Sequence, residues 1–188
     1  MAIRITSEDL EQKKIFLVFS PPASVRQQNI EIIKTVSSLG FHTVVVTTNF
    51  PYSVLKKLYE QNRVPLDNVT FIDAVTQYSM GNVQNVPGVV RYVNNPANLT
   101  DMGIAVTELL KELSGKKVCI LYDSISTMLV YLSSQNISKF IHFVTNKLRL
   151  MDISGIFLAV EKGLDPQLLS QLTTFVDVII EFPEEKAE

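Results

Sequence analysis

The protein has 188 residues, of which 46% are apolar, with 17 basic and 19 acidic side chains. This near balance of charge argues against a nucleic-acid partner, which usually requires a basic excess or stripe, and the single cysteine excludes a disulfide within the chain. No apolar run approaches the ~20 residues of a membrane span, and the polar amino-terminal residues lack a signal-peptide core. The sequence therefore predicts a soluble, cytoplasmic protein without a membrane partner, folded as a single domain over residues 1–188.

Short apolar runs alternate with amphipathic stretches along the chain, which indicates strands connected by helices. In chain order the first half predicts a strand at 14–20, a helix at 24–39, a strand at 41–47, a helix at 51–61 and a strand at 69–73. Gly40 follows the first helix as a carboxyl-terminal cap, and Pro51 suits the first turn of the second. Residues 78–96 are rich in Asn, Gly and Pro, which predicts an irregular segment with a short strand at 89–93.

The second half of the chain continues the alternation. It predicts a helix at 98–113, a strand at 117–123, a long helical stretch at 124–151 broken near 136–138, a strand at 155–160, a helix at 165–172 and a strand at 175–182. Residues 1–13 are a polar amino-terminal extension and residues 183–188 a solvated tail. Strands that are apolar along their whole length are buried on both faces. The predicted fold class is therefore α/β, with three layers: a mainly parallel β-sheet flanked by helices.

The turn after the first predicted strand is the usual phosphate-binding position of such a sheet. Here it reads Ser20-Pro21-Pro22-Ala23-Ser24-Val25-Arg26-Gln27, where the phosphate-loop pattern is G-x-x-x-x-G-K-[ST]. Ser20 and Val25 stand at the two glycine positions, and the β-branched Val25 disfavours the positive φ angles of such loops. Arg26 replaces the Lys, and Gln27 replaces the hydroxyl that binds Mg²⁺. The segment is either an ordinary polar loop opening a helix or a degenerate loop that still binds a nucleotide.

The order of elements, the altered loop and the strand ending Leu121-Tyr122-Asp123-Ser124 resemble the RecA/KaiC-like P-loop ATPase superfamily, archaeal KaiC-like proteins in particular. The resemblance extends over about residues 14–182 and implies a RecA-like P-loop NTPase fold. It implies that Asp123, at the end of the second motif, would hold Mg²⁺ through water. It also implies an acidic residue after the second strand to orient the attacking water, where this chain has Thr47-Thr48-Asn49. The departures predict a member without a functional Walker A motif and without ATP hydrolysis.

Several polar residues have two interpretations. Asp123 is either a residual ligand contact or the N-cap of the following helix, and Asp73, after the third strand, has the same ambiguity with the cap or turn favoured. His42 and His142 form no recognisable catalytic or metal-binding set with Cys119, which the apolar run around it predicts to be a small core residue. If a nucleotide site is retained, its contacts are Ser20, Ala23, Ser24, Arg26, Gln27 and Asp123.

The later helices carry two further patterns. One is a set of basic residues that are either an ordinary solvated surface or a phosphate-binding face: Lys139, Lys147, Arg149 and Lys162. The other is a helix loaded with apolar residues, which either all pack in the core or also bury against another subunit: Phe140, Ile141, Phe143, Val144, Leu148 and Leu150.

Two functions follow from these observations. The first is a catalytically inactive RecA/KaiC-like domain that acts as a protein-interaction, scaffold or regulatory module, with signal transduction as one setting for it, without a cofactor. Its partner would be a second copy of the chain, forming a homo-oligomer, or another RecA/KaiC-like protein, and no nucleic acid is expected. The alternative is a protein that binds ATP or ADP with Mg²⁺ and hydrolyses it weakly or atypically.

Overall fold

The computed structural model describes residues 4–183, so the tail predicted at 183–188 lies outside the described residues from position 184 onward. The helices are α1 (Ser7–Glu11), α2 (Val25–Ser38), α3 (Tyr52–Gln61), α4 (Thr76–Met80), α5 (Leu99–Glu112), α6 (Ile125–Met128), α7 (Ser134–Leu150) and α8 (Pro166–Phe175). The strands are β1 (Ile15–Phe19), β2 (His42–Thr47), β3 (Val69–Asp73), β4 (Val90–Tyr92), β5 (Val118–Asp123), β6 (Ser154–Ala159) and β7 (Val178–Glu181).

The seven strands pair in parallel in the order β4-β3-β2-β5-β6-β1-β7, which confirms the predicted parallel α/β architecture. Strand β6 lies between β1 and β5, with Gly155 opposite Ile15 on one side and Ile120 on the other. The loops that follow β1 and β5 are therefore two strand spacings apart, about 9.5 Å. Both open at the carboxyl edge of the sheet, where ligands of this architecture bind.

Every residue of β1, β2, β3, β5 and β6 is buried, as continuous apolar runs predict. Helices α5, α7 and α8 cover one face of the sheet, with Leu109 and Val144 in that apolar layer. Helices α2 and α3 cover the other face, with Ile33 and Tyr59 in the second layer. Within residues 4–183 no helix combines the length and apolar character that crossing a membrane requires.

A short helix lies in the segment predicted to be a polar extension. Its N-cap is Thr6, whose hydroxyl accepts a hydrogen bond from the backbone N–H of Asp9 at 3.1 Å, while the Asp9 carboxylate accepts one from the Thr6 N–H at 3.0 Å. This reciprocal capping satisfies two backbone donors that a helix start leaves open. Leu10 is fully buried and docks α1 on the domain. The apolar content of the segment is too low to predict this helix.

The break predicted near 136–138 in the long helical stretch is wrong. Helix α6 ends at Met128 and α7 begins at Ser134, so the interruption comes earlier. The side chain of Ser133 accepts a hydrogen bond from the backbone N–H of Asn136 at 3.3 Å and thereby caps α7. Positions 136–138 consequently lie in the first turns of α7, where Ile137 is fully buried.

Gly155 lets the side chain of Leu148 on α7 lie directly against the sheet. A Cβ atom built on Gly155 would lie 2.6 Å from Cδ1 of the buried Leu148 and 3.4 Å from side-chain atoms of Ile120 and Ile15. We expect Gly155→Ala to lower the free energy of unfolding by about 1–3 kcal/mol, because Leu148 must leave its position in a filled core. Urea unfolding monitored by circular dichroism measures the change. Gly163→Ala is the matched control, since nothing lies within 4 Å of its added Cβ, and equal stability of the two variants would contradict the prediction.

Candidate functional site

The loop after β1 is a tight turn and not an open phosphate cradle. The backbone N–H of Ser24 donates to the carbonyl of Pro21 at 3.1 Å, and the hydroxyl oxygens of Ser20 and Ser24 lie 3.3 Å apart. No residue from 20 to 27 has a positive φ angle, although phosphate-binding nests are built from such residues. Val25 begins α2 and packs against the apolar layer beneath that helix. The turn is therefore closed, with Val25 packed inward at the start of α2.

The residues at the Lys and hydroxyl positions of the loop pattern contact their own neighbours. The guanidinium carbon of Arg26 lies 4.9 Å from the ring centre of Phe50, within cation–π distance. Gln27 donates from Nε2 to Oε1 of Glu31 at 2.8 Å, one helical turn further on. Ala23 is exposed and contributes no polar side-chain group. Both side chains therefore contact residues of their own surroundings, Phe50 and Glu31.

Asp123 is the last residue of β5, and its side chain is buried at 3% exposure. Asn29 of α2 donates from Nδ2 to Oδ2 of Asp123 at 3.0 Å, and the hydroxyl of Tyr59 in α3 donates to Oδ1 of Asn29 at 2.7 Å. The side chain of Asn49, after β2, also hydrogen-bonds to the carboxylate. The carboxylate is thus hydrogen-bonded to side-chain amide groups of the protein itself.

Burial raises the pKa of the Asp123 carboxyl to about 6, while the hydrogen bonds from Asn49 and Asn29 act in the opposite direction. Desolvation dominates because a charged carboxylate loses its hydration and gains no cationic partner here. The neutral amides stabilise the anion less than a metal ion or a lysine would. Asp123 therefore changes its protonation close to neutral pH.

The space between the loop and Asp123 is filled. Val25, Arg26, Asn29, Asn49 and Asp123 surround a gap, lined also by Phe50, Leu55 and Leu58, in which the volume open to water is ≈ 0 Å³. In the resembling ATPases this corner would hold Mg²⁺ and the outer phosphates. The residues present here do not fit that group, because the metal and its water ligands would require a cavity that the side chains occupy.

The N-cap interpretation of Asp123 is wrong. Ser124 is the N-cap of α6, and its hydroxyl accepts a hydrogen bond from the backbone N–H of Thr127 at 3.4 Å. The favoured turn interpretation of Asp73 is confirmed. Its carboxylate accepts hydrogen bonds from the backbone N–H groups of Val75 at 2.7 Å, Thr76 at 2.8 Å and Tyr52 at 2.7 Å. Asp73 therefore joins the ends of β3 and α3 and is saturated by backbone donors.

A small cleft of ≈ 300 Å³ lies beside the loop, at the carboxyl ends of β1, β6 and β7. Ser20 and Pro22 line one side, and Lys162 and Glu181 line the other. Glu181 brings a carboxylate into a cleft that offers a single lysine. Repulsion between this carboxylate and a polyphosphate makes the cleft a poor substitute for the filled corner.

The remaining candidates have structural partners. His42 Nε2 lies 2.8 Å from the Thr70 hydroxyl, and burial together with nearby Lys116 lowers the pKa of His42. Cys119 is fully buried, and burial raises the pKa of its thiol, so it is the small core residue that the sequence predicted. His142 of α7 packs against the ring of Phe175 in α8. Among residues 4–183 no cluster of three His, Cys, Asp or Glu side chains could hold a metal ion.

The basic residues of the later helices do not gather into one site. Arg149 donates from Nη1 and Nη2 to the Asp177 carboxylate at 3.1 and 2.9 Å. Ten helical residues, about 15 Å, separate Arg149 from Lys139. Lys162 lies in the turn after β6, next to the small cleft. A solvated surface, in which Arg149 is paired with Asp177, accounts for this set.

Sequence reasoning missed the two residues that complete the buried network, Asn29 and Tyr59. A signal for Asn29 was present, because it lies four positions before Ile33 and seven before Val36, on the helix face that is otherwise apolar. A polar residue at a core position requires a buried partner. Neither the partner nor the distance follows from spacing, since the hydrogen bond joins residues 94 positions apart.

Asp123 makes stability depend on pH. Its pKa is about 6 in the folded protein against 3.8 for the free side chain, so its contribution to stability is greatest below pH ~4 and is lost as the pH rises through about 6. We expect the wild type to gain about 1 kcal/mol of unfolding free energy between pH 8 and pH 5, relative to Asp123→Asn over the same interval. Urea unfolding at both pH values measures the difference. Identical pH dependence in the two proteins would contradict it.

Solved structures of similar fold come from the archaeon Pyrococcus horikoshii. The KaiC-like protein PH0186 of strain OT3 superimposes with a TM-score of 0.65 at 15% identity, covering 94% of this chain and 76% of that one. The uncharacterized protein PH0321, crystallised in complex with an unknown peptide, gives a TM-score of 0.67 at 13% identity, covering 90% and 77%. These matches confirm the KaiC-like RecA fold that the sequence predicted.

The sequence comparisons add a family without adding an activity. No curated protein matches this chain. The model of a family of unknown function, DUF7504, matches residues 15–182, from the first strand to just beyond the last. The matched region therefore includes the whole sheet together with the filled corner between the loop and Asp123. The chain belongs to this family of unknown function, DUF7504.

Proposed function

We propose that this protein is a catalytically inactive RecA/KaiC-like domain that acts by binding another protein, as a scaffold or regulatory module. The observation that carries the proposal is the filled corner at Asp123, where the gap lined by Arg26, Asn29 and Asn49 is ≈ 0 Å³. Chains of this fold that hydrolyse nucleotides need that volume for a metal ion and phosphates. Here the same volume is used for packing and for a buried hydrogen-bond network.

Loss of catalysis follows from how phosphoryl transfer works. The reaction depends almost entirely on positioning and on electrostatic stabilisation of the phosphates. The loop supplies Arg26 in place of the Lys and Gln27 in place of the hydroxyl, and Arg26 already stacks on Phe50. Thr47-Thr48-Asn49 offers no carboxylate to orient a water. Asp123 is kept from the second motif, but it is buried and hydrogen-bonded to Asn29. The loop glycines, the Lys, the hydroxyl and the water-orienting carboxylate are all replaced.

A binding role is supported by apolar side chains that the fold leaves in contact with water. Ile104 of α5 and Phe143 of α7 are each 49% exposed. Exposed apolar groups that lie close together mark interaction surfaces more often than isolated ones do. The peptide in the PH0321 crystal indicates that a protein of similar fold can bind a polypeptide. The proposal therefore places function on a helical surface and not at the nucleotide corner.

Nucleotide binding is the property that separates this proposal from weak ATP hydrolysis. A ligand at 100 times its Kd would stabilise the protein by about 2.7 kcal/mol and raise Tm by roughly 5–10 °C for a chain of this length. We expect ATP or ADP with Mg²⁺ to leave Tm unchanged in differential scanning fluorimetry. A clear rise that Asp123→Ala abolishes would overturn the proposal in favour of a nucleotide-binding protein.

The loop backbone, and not only its side chains, prevents binding. We expect the double substitution Arg26→Lys with Gln27→Thr to give no nucleotide affinity by isothermal titration calorimetry, because Val25 still packs inward at the start of α2. The control adds Ser20→Gly, Ala23→Gly and Val25→Gly, which frees the backbone and lowers stability through the unfolded state. Micromolar ATP binding by the double variant would show that the cradle was present without the glycines.

A further inference from the structure

A groove of ≈ 690 Å³ runs along the outer surface between α5 and α7. Gly103 and Phe140 form its floor, and Ile104 and Phe143 form its two walls. A Cβ atom on Gly103 would lie 3.2 Å from Cε1 of Phe143, so the glycine allows the aromatic ring to lie close to α5. Helix α5 has 14 residues, which gives the groove a length of about 20 Å.

The groove explains the excess of apolar residues on α7. Phe140, Ile141, Val144 and Leu148 are buried against the sheet and account for the inner face. Phe143 lies outside that face, is 49% exposed and lines the groove. Phe143 is therefore a wall of the groove and does not belong to the core, whereas the exposed Leu150 lies outside the groove.

The charged groups at the rim of the groove are predominantly basic. Lys111 of α5 and Lys139 of α7 line it, and both are exposed. Within residues 4–183 neither lysine has an ion pair. The acidic residue of the rim, Glu108, pairs with Arg91 at 2.7 Å, and the same arginine pairs with Glu112 at 2.6 Å. The rim is positive although the chain as a whole carries a formal charge of -2.

We propose that this groove binds an amphipathic helix of a partner protein, with an apolar stripe flanked by Asp and Glu. An apolar stripe at i, i+3, i+4 and i+7 matches a groove between two helices, and acidic flanks match Lys111 and Lys139. An extended strand has no matching edge here, because the backbone groups of α5 and α7 bond within their helices. The inference rests on the proposed binding function and names the chemistry of the partner.

A second copy of the chain is a poorer occupant of the groove. A twofold contact between two identical grooves would bring the same surface of each copy together. It would set Lys111 and Lys139 of one copy against the same lysines of the other. Like charges facing each other across an interface oppose association.

The test uses a pool of 14-residue synthetic helices with a fixed leucine stripe and flanking positions randomised among Glu, Gln and Lys. Immobilised full-length protein selects from the pool, and fluorescence anisotropy measures the affinity of the selected peptides. We expect Glu-flanked peptides to be enriched and to bind more weakly as salt increases. Phe143→Asp should weaken them at least tenfold. Leu150→Asp is the matched control, since Leu150 is 85% exposed on the same helix and does not line the groove, and it should leave their affinity unchanged.

Reversal of the rim charge tests the specificity. Lys111→Glu combined with Lys139→Glu should select Lys-flanked peptides, an exchange that general loss of folding cannot produce. Enrichment no greater than that on Phe143→Asp protein, or enrichment of Gln- or Lys-flanked peptides by the wild type, would overturn the inference. A wild-type dimer that Phe143→Asp dissociates in sedimentation would show a second copy in the groove and would also overturn it. The nucleotide titration decides the proposed function separately, so the two failures are distinguishable.

Discussion

The buried carboxylate of Asp123 is the constraint on which this end of the molecule depends. A carboxylate removed from water must find hydrogen-bond donors, and Asp123 finds them on Asn29 of α2 and on Asn49 after β2. Tyr59 of α3 completes the chain by donating to Asn29. Satisfying one charge therefore fixes two helices and one loop against the carboxyl edge of the sheet. The absence of a cavity at this corner is a consequence of that arrangement.

The filled corner at Asp123 changes where a protein of this architecture can interact. Open parallel sheets bind ligands beyond the ends of their strands because loops there are free to diverge. In this chain Asp73 ties β3 to α3, and Asp123 ties β5 to α2. The hydrogen bonds of both carboxylates hold the elements at this edge of the sheet together. Two exposed apolar side chains, Ile104 and Phe143, lie instead on the helical layer, in the groove between α5 and α7.

The sheet could be predicted from the sequence to a much greater degree than the site. Continuous apolar runs identify buried parallel strands directly, and β3 begins and ends at the predicted residues, Val69–Asp73. The starts of α1 and α7 depend on caps at Thr6 and Ser133, whose side chains accept hydrogen bonds from backbone N–H groups, and the periodicity of apolar residues does not reveal such caps. The substitutions in the loop after β1 indicate from the sequence alone that the usual phosphate and Mg²⁺ contacts are lost. The hydrogen-bond network of Asp123, Asn29 and Tyr59 could not be predicted, because it joins residues distant in the chain.

The position of β1 in the sheet affects how the chain folds during its synthesis. Strand β1 pairs with β6 and β7, the last two strands in the sequence, and with none of the strands β2 to β5 of the described sheet. The hydrogen bond from the Ile15 N–H to the Asp177 carboxylate spans 162 residues. During synthesis, β1 leaves the ribosome long before its partners exist, and such distant pairing slows folding. The apolar residues of β1 spend that interval without a partner strand, exposed to chaperones and to aggregation.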